Sequence, residues 1–407
     1  MKAFIEKYIP KEYRFYIILY LVFLAVHLVL PLNWGDDKIF LSKSADAGLF
    51  DFLQGSARPF TDGLTYIFSR FHFLWRILNP AVLTVLVWVI PKILPSDNVH
   101  KALPILAVYP TMCMVDAGFV ATTVNYLWPV TFGIISLLPL KNLIYGKRTK
   151  LSVRLLVLPL MLYATNMQQM AVVMLVALLA GNVYLLSKRT VNFYLIFQNI
   201  IVAGMTAYSY YINTVGENNR MVRETGRYFP EFLSLNIFEK LELGFSSTFY
   251  GLTSQIYFTL AGSLAFMIFL CVMSFKQSTK LRLLSLLPPA LSGVLCFISP
   301  YIFGELKNYK MQKAVYSFEP VADIIFIIIG VLVVISILSL VKSNGNKIYC
   351  MSVLVLGLGS RMMMGFSPTV WASGCRTFCI MLISFILITL VIVEEKNRNE
   401  TSVYMPS

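Results

Sequence analysis

Residues 15–40 read FYIILYLVFLAVHLVLPLNWGDDKIF, an apolar run that ends at Leu30 and is soon followed by the adjacent carboxylates Asp36 and Asp37. A helix across the hydrocarbon core of a bilayer needs about 20 residues, and the run approaches that length. It has no small-residue cleavage site, so it predicts a retained membrane span and not a signal peptide. The acidic pair is therefore expected at the rim of a span.

The composition extends this prediction to the whole chain. Of the 407 residues, 57% are hydrophobic and 13% are charged, whereas a soluble domain has about 25% charged residues. The apolar stretches lack the alternation of barrel strands, so they predict helices. The sequence thus predicts an all-α polytopic membrane protein with about twelve transmembrane helices, of which 102–116 and 154–166 are short. The predicted spans are 14–31, 74–94, 102–116, 127–141, 154–166, 169–187, 192–212, 249–275, 283–303, 321–341, 348–366 and 377–393.

The distribution of charge predicts an orientation. With an even number of spans both termini lie on one face, and that face carries the whole net charge of +14. Positively charged loops stay in the cytoplasm, so both termini are expected there, and nucleic acid is not needed to explain the charge. Residues 1–407 form a single membrane domain in this prediction. Its outer loops are about 32–74, 116–128, 213–247, 304–320 and 361–376, and a disordered cytoplasmic tail occupies about 394–407.

The first outer loop carries the most suggestive carboxylates. Its sequence mixes apolar and polar residues at helical spacing, which predicts amphipathic helices in the membrane interface. Two interpretations of Asp36 and Asp37 stay open: a solvated helix end, or a general base that deprotonates a hydroxyl, with or without a metal. Arg58 also has two interpretations, because an arginine at this place either contacts lipid headgroups or binds a phosphate.

Two further segments hold uncharged polar groups. The loop at 116–128 is predicted to line a cavity, and its candidate substrate-binding residues are Asp116, Asn125, Tyr126 and Trp128. An interfacial aromatic belt is the alternative explanation of Tyr126 and Trp128. The stretch ATNMQQM at 164–170 is either a hairpin turn or a set of amides that bind sugar hydroxyls. Its candidate substrate-binding residues are Asn166 and Gln169.

Arginines follow later in the chain. Arg220, Arg223 and Arg227 share one helical face, where neighbouring glutamates could simply pair with them. Arg361 and Arg376 flank the last predicted loop, and Arg376 lies near the start of a helix, where anions are favoured. An anionic lipid phosphate is the expected partner of these two, with headgroup snorkelling as the alternative.

Other chemistries lack support in the sequence. The six cysteines form no CxxC pair and the three histidines are scattered, so neither predicts a metal cluster. No P-loop or dinucleotide fingerprint is present, which disfavours a nucleotide substrate. A substrate delivered within the bilayer is more consistent with this pattern.

Several short motifs resemble those of GT-C type membrane glycosyltransferases, and in particular bacterial GtrII-type glucosyltransferases and related polytopic families. The matching segments are the pair Asp36-Asp37, Ala57-Arg58-Pro59, Ala117-Gly118 with 125–129, and a loose match at Gly216, Asn218, Asn219 and Arg220. Ala57 departs from the glycine expected before Arg58. The resemblance covers most of the chain, although each motif is short.

The resemblance implies an inverting glycosyltransferase in a bacterial plasma membrane, with its active site outside. A polyprenyl-phosphate sugar would be the donor, with its phosphate near Arg361 and Arg376, and Arg58 and Arg220 as further phosphate-binding candidates. One of Asp36 and Asp37 would deprotonate a glycan or lipid-linked acceptor. The other would orient the base or bind Mg²⁺ or Mn²⁺. The alternatives are a Wzy-like polysaccharide polymerase and a lipid or oligosaccharide transporter.

Overall fold

The computed structural model describes residues 10–96, 103–215, 219–253, 278–280, 313–318 and 320–403, with single positions at 283, 287, 290 and 294. All regular secondary structure in these residues is helical, as the apolar runs predict. The first helices are α1 (Lys11–Val29), α2 (Gly35–Asp46), α3 (Leu49–Leu53), α4 (Pro59–Arg70), α5 (His72–Ile93), α6 (Phe119–Ile144) and α7 (Leu151–Ala164). They are followed by α8 (Gln168–Ser187), α9 (Phe193–Thr214), α10 (Arg220–Tyr228), α11 (Ile237–Thr253), α12 (Pro320–Leu340), α13 (Asn344–Met362) and α14 (Cys379–Val403).

Seven helices among the described residues are long and apolar enough to cross a membrane: α1, α5, α6, α8, α12, α13 and the segment Cys375–Glu395 that contains most of α14. Each coincides with one of the predicted spans. The described residues are therefore all-helical, and the chain has the features of a polytopic membrane protein.

The other five predicted spans have different outcomes. The stretch at 102–116 forms a 3₁₀ helix, Leu103–Ala117, and the one at 154–166 forms the short helix α7. The stretch at 192–212 forms α9, which is long but is not among the seven. Residues 249–275 and 283–303 lie largely outside the described residues. The total of twelve spans therefore stays a prediction.

Two segments differ from the predicted loops. The outer loop expected at 116–128 is helical, because α6 begins at Phe119 and continues through a π-helical turn, Thr123–Leu127. The tail expected to be disordered continues α14 as far as Val403. By contrast, the turn predicted within 164–170 is present, since α7 ends at Ala164 and α8 begins at Gln168.

The helices belong to two units. The described part of the first consists of 10–93, 104–167 and 174–205, and its core includes Trp75, Val124, Trp128 and Tyr163. Polar groups cross-link this core, because Trp128 donates a hydrogen bond to Asn79, whose amide contacts the ring of His27. Buried polar groups in an apolar environment need such partners, so this chain of contacts holds α1, α5 and α6 in register.

The described part of the second unit consists of 94–96, 103, 168–173 and the described residues from Thr206 onward. Here α13 packs closely on α14 where Gly357 faces Ser384. Small residues permit this approach between apolar helices, in which dispersion contacts replace the hydrophobic driving force. The last candidate span, Cys375–Glu395, is almost completely buried, as expected for a helix that is apolar on all sides.

Candidate functional site

The acidic pair lies in the first turn of α2. Trp34 adopts an extended conformation before the helix, and Gly35 begins it. Negative side chains are favourable there because the helix N-terminus carries a partial positive charge. The two carboxylates have different surroundings, since Asp37 is only 1% exposed and Asp36 is half-buried.

Asp37 binds the start of another helix. Its Oδ1 atom accepts a hydrogen bond from the N–H of Ala121 at 2.8 Å, and Oδ2 accepts one from the N–H of Val120 at 3.1 Å. The first N–H groups of a helix have no partner within it. Asp37 therefore caps α6 from 83 residues away in the chain.

Two glycines make this contact possible. Gly118 has a φ angle of +98°, and a Cβ atom there would lie 2.7 Å from the Cγ atom of Asp37. Gly35 has a φ angle of +58°, and a Cβ atom there would lie 2.8 Å from the carbonyl carbon of Ala117. A side chain at either position would be strained and would collide with the opposite segment. The contact between α2 and α6 thus depends on both glycines.

Burial raises the pKa of Asp37 to about 6. The N–H groups of Ala121, Val120 and Phe119 oppose the shift by stabilising the charge, and the neighbouring Asp36 adds to it. The carboxyl therefore titrates within the physiological range while its oxygens are engaged by backbone donors.

Arg58 directly precedes α4 and forms an ion pair one turn into that helix. Its Nη2 atom lies 3.7 Å from Oδ1 of Asp62, whose other oxygen accepts a hydrogen bond from the hydroxyl of Ser56 at 2.6 Å. The sequence analysis missed Asp62, although the spacing of four residues from Arg58 on a helix is the signal that predicts this pair.

Asn166 holds the start of α4. Its Oδ1 atom accepts the N–H of Phe60 at 3.0 Å, and its amide donates to the carbonyl of Leu162. The side chain is 1% exposed. Both ends of the amide are engaged inside the chain, so a capping role explains this residue without a sugar.

The residues predicted from 116–128 lie in or beside α6. Asn125 is buried, and its amide donates to Thr65 and to the carbonyl of Ala121. Trp128 is buried in the core, whereas Tyr126 is half-buried. The side chain of Asp116 lies outside the described part of the chain. Asn125 and Trp128 are thus packed between helices and do not line an exposed loop.

In the second unit, Arg361 is a buried cation. It is 2% exposed. Its Nη1 atom lies 3.5 Å from the hydroxyl of Ser247, and its Nη2 atom lies 3.3 Å from the carbonyl of Val370. Its guanidinium stacks on the ring of Phe378. This burial excludes headgroup snorkelling for Arg361. Arg376 is half-buried in the 3₁₀ turn that precedes α14.

Gln169 connects two segments beside Arg361. Its amide donates to the carbonyl of Ser360 at 2.7 Å and to that of Thr377 at 2.9 Å. Both amide protons are therefore used within the chain. The residue joins the end of α13 to the turn before α14.

The arginines of α10 are partly paired, as the alternative interpretation predicts. One carboxyl oxygen of Glu224 lies 4.0 Å from Arg220 and 3.3 Å from Arg223. Asn219 caps the helix by accepting a hydrogen bond from the N–H of Val222. Such exposed pairs contribute little to stability. Gly216 and Asn218 of the proposed motif lie outside the described residues.

The predicted site residues are divided between the two units. The first contains Asp36, Asp37, Arg58, Asp116, Asn125, Tyr126, Trp128 and Asn166, and the second contains Gln169, Arg220, Arg361 and Arg376. Within the first unit, the structure joins α2 to α6 through Asp37 and α4 to the α7–α8 turn through Asn166.

The surroundings of the acidic pair bear on whether it could hold a metal ion. Within the described ranges, no three histidine, cysteine or acidic side chains converge as metal ligands. The Asp37 oxygens face backbone N–H donors, which occupy the positions that a cation would need. The pair thus does not fit a two-carboxylate metal site, and no step of the reaction proposed below involves Mg²⁺ or Mn²⁺.

Comparison of the chain with protein-family models, with curated proteins and with solved structures found no match, so no family is assigned to it.

Proposed function

We propose that this protein is a membrane glycosyltransferase that moves a sugar from a polyprenyl-phosphate donor to a cell-envelope glycan or lipid-linked acceptor outside the cell. The observation that supports this most is the placement of the acidic pair. It lies in the first turn of α2, directly after the candidate span α1, and one of its two carboxylates is anchored. A base held at the end of a span can meet a substrate that stays in the bilayer.

The two carboxylates have separate roles in this proposal. Asp36 is the general base, because it is the more accessible of the pair. Asp37 is a positioning residue, because it is buried and its oxygens accept the N–H groups of Val120 and Ala121. Anchoring one residue of the helical turn fixes the backbone of the next, which holds the base in a reactive geometry.

The reaction then follows from acid–base chemistry. Asp36 takes the proton of an acceptor hydroxyl, and the hydroxyl oxygen attacks the anomeric carbon of the donor sugar. The bond from that carbon to the phosphate oxygen breaks, and the electron pair leaves with the polyprenyl phosphate. Attack opposite the leaving group inverts the anomeric configuration. Arg58, which belongs to the same unit as Asp36, is the candidate for binding the phosphate.

Purified protein in lipid, supplied with a panel of polyprenyl-phosphate sugars and a cell-envelope glycan extract, tests this proposal. We expect the wild type to consume one donor and Asp36→Asn to lower turnover by about 10²–10⁴-fold, the usual contribution of a general base. Asp46→Asn is the matched control, because Asp46 is exposed at the far end of the same helix. It should retain full activity.

Other outcomes point elsewhere. Full activity of both Asp36→Asn and Asp37→Asn would refute the assignment of the base to this pair. If no donor is consumed by the wild type, the polymerase and transporter alternatives remain, and a lipid-flipping assay separates them. Retained activity of Asp36→Asn with loss in Asp37→Asn would exchange the two roles.

A further inference from the structure

Two connections of the first unit are strongly basic. The first basic turn, residues 145–150, connects α6 to α7 and contains Lys147, Arg148 and Lys150. The second basic turn, residues 188–192, connects α8 to α9 and begins with Lys188 and Arg189. All five of these residues are exposed. Residues 117–216 contain no aspartate or glutamate, so neither the two turns nor the four helices beside them supply a carboxylate to these cations.

Both turns begin with the same backbone motif. At the end of α6, the N–H of Lys147 donates to the carbonyl five residues before it at 2.7 Å, and at the end of α8 the N–H of Thr190 donates to the carbonyl of Leu185 at 2.9 Å. This is the Schellman motif, in which the residue before the donor is left-handed and is usually glycine. In the first basic turn that residue is Gly146, with a φ angle of +67°. In the second it is Arg189, with a φ angle of +55°.

The arginine at this position is unfavourable for the backbone. Among the described residues, Arg189 is the only one other than glycine with a positive φ angle. A left-handed conformation is strained for a residue with a Cβ atom, and Gly146 shows that glycine closes the same motif without that strain. A cation is favourable at the end of a helix, but Lys188 already supplies one there. Such strain is typical of functional positions, so the charge of Arg189 points to a partner.

Helix packing brings the two basic turns together. Gly181 on α8 lies against Leu140 on α6, where a Cβ atom on the glycine would collide with the leucine side chain. The two turns follow this contact by a similar number of residues, so they lie at a similar height along the helices. The helices that leave the turns are also joined, because the hydroxyl of Tyr194 on α9 donates to the carbonyl of Arg154 on α7 at 2.8 Å. The guanidinium of Arg154 lies over the same ring, 5.5 Å from its centroid.

Each basic turn is followed directly by an exposed apolar side chain. The helix α7 begins at Leu151, which is 70% exposed, and α9 begins at Phe193, which is 81% exposed. Cations beside exposed apolar side chains match a partner with an anionic head and an apolar body. A soluble anion has no apolar part that would contact Leu151 and Phe193, whereas a phospholipid has both parts.

We propose that the two basic turns form a binding site for anionic phospholipids of the adjoining leaflet, which is the cytoplasmic one in the predicted orientation. Arg148 and Arg189, one from each turn, bind the phosphate of the headgroup, and an acyl chain lies along Leu151 and Phe193. Basic pockets between membrane helices recognise lipid headgroups by this combination of charge and apolar contact. The site is independent of the proposed transfer reaction, so either proposal can fail without the other.

Native mass spectrometry of the full-length, delipidated protein in a neutral detergent measures the Kd of phosphatidylglycerol, with phosphatidylcholine as the lipid without net charge. We expect the wild type to bind phosphatidylglycerol more tightly. Arg189→Gly should weaken that binding about fivefold, the usual effect of one cation near an anionic lipid surface. The same variant should raise the midpoint of thermal unfolding without added lipid, because glycine relieves the strained backbone. A residue that only serves the fold would lower that midpoint.

Three further variants complete the test. Arg148→Gln, in the first basic turn, should also weaken phosphatidylglycerol binding about fivefold, whereas Arg189→Lys keeps the charge and should retain most of the affinity. Lys43→Gln is the matched control and should leave the affinity unchanged, because Lys43 is an exposed cation in the last turn of α2. Equal affinity of the wild type for the two lipids, or unchanged phosphatidylglycerol binding in Arg189→Gly, would overturn the proposal. So would an equal loss in Lys43→Gln, or glycerol phosphate that stabilises the protein as much as phosphatidylglycerol does.

Discussion

A buried carboxylate is stable only where hydrogen bonds replace the water that it has lost. Asp37 meets this condition with the N–H groups of Val120 and Ala121, whereas its neighbour Asp36 remains accessible. Adjacent residues of one type thus take different roles because a helix directs successive side chains to different sides. At the residue scale, this difference is the reason that Asp36, and not Asp37, is proposed as the base.

The raised pKa of Asp37 predicts a pH dependence of stability. The folded protein binds the Asp37 proton more tightly than the unfolded chain, whose carboxyl has a pKa of 3.8. The contribution to the free energy of unfolding is therefore complete below pH 3.8 and is lost as the pH rises through about 6. The shift corresponds to at most about 3 kcal/mol.

Thermal unfolding in detergent across this pH range measures the effect. Glu242→Gln serves as the background, because Glu242 titrates near 7 and would add a change of the same sign. Asp37→Asn should remove the change of stability with pH below pH 6. It should also lower the overall stability, because the amide group cannot accept hydrogen bonds from both N–H groups. An unchanged slope in Asp37→Asn would show that other groups cause it.

At the element scale, contacts between backbones determine which helices meet. Gly244 on α11 and Gly365 in the turn Met363–Phe366 lie against each other, and a Cβ atom on Gly244 would collide with the carbonyl of Met362. A Cβ atom on Gly365 would in turn collide with the carbonyl of Lys240. This contact fixes α11, which carries Glu242, against the end of α13.

Gly244→Ala should therefore destabilise the protein. Forcing a methyl group into a filled contact costs about 1–3 kcal/mol. Gly359→Ala is the matched control, because Gly359 lies within α13 with no atom near its missing Cβ. That variant should be neutral or more stable by up to about 1 kcal/mol, owing to the better helix propensity of alanine.

Midpoints of thermal unfolding in one detergent compare the two glycine variants. Equal midpoints for Gly244→Ala and Gly359→Ala would show that α11 moves away from Met362 without loss of stability. The contact at Gly244 would then not fix the position of α11.

At the scale of the whole molecule, the distribution of lysine and arginine among the loops predicts which side of the membrane each loop occupies. The basic connection between α6 and α7 is predicted to be cytoplasmic, and α2 is predicted to lie outside. Asp46 on α2 and Arg148 in that connection are both exposed. The described cysteines, Cys113, Cys350, Cys375 and Cys379, are buried.

Cysteine labelling of intact cells measures this orientation. In a cysteine-free background, Asp46→Cys should react with a membrane-impermeant maleimide in intact cells. Arg148→Cys should react only after the membrane is permeabilised. The reverse pattern would place the acidic pair in the cytoplasm and would remove the basis for an extracytoplasmic transfer reaction.

The local pattern of the sequence determined the helical membrane class, seven of the predicted spans and the turn near Asn166. Length and hydropathy are properties of one stretch, so a bilayer constrains them without reference to the rest of the chain. The sequence alone also singled out the acidic pair after α1. It could not show which carboxylate is buried, because that depends on a contact across 83 residues.

Only the tertiary structure decided what the other polar side chains contact. Asn166 and Gln169 are both predicted to bind substrate. In the structure Asn166 caps α4, and Gln169 joins Ser360 to Thr377. A pattern within 164–170 does not specify such distant partners. A polar side chain in a short motif is equally suited to a ligand or to a buried backbone group. Packing over long sequence separations determines which of these it meets.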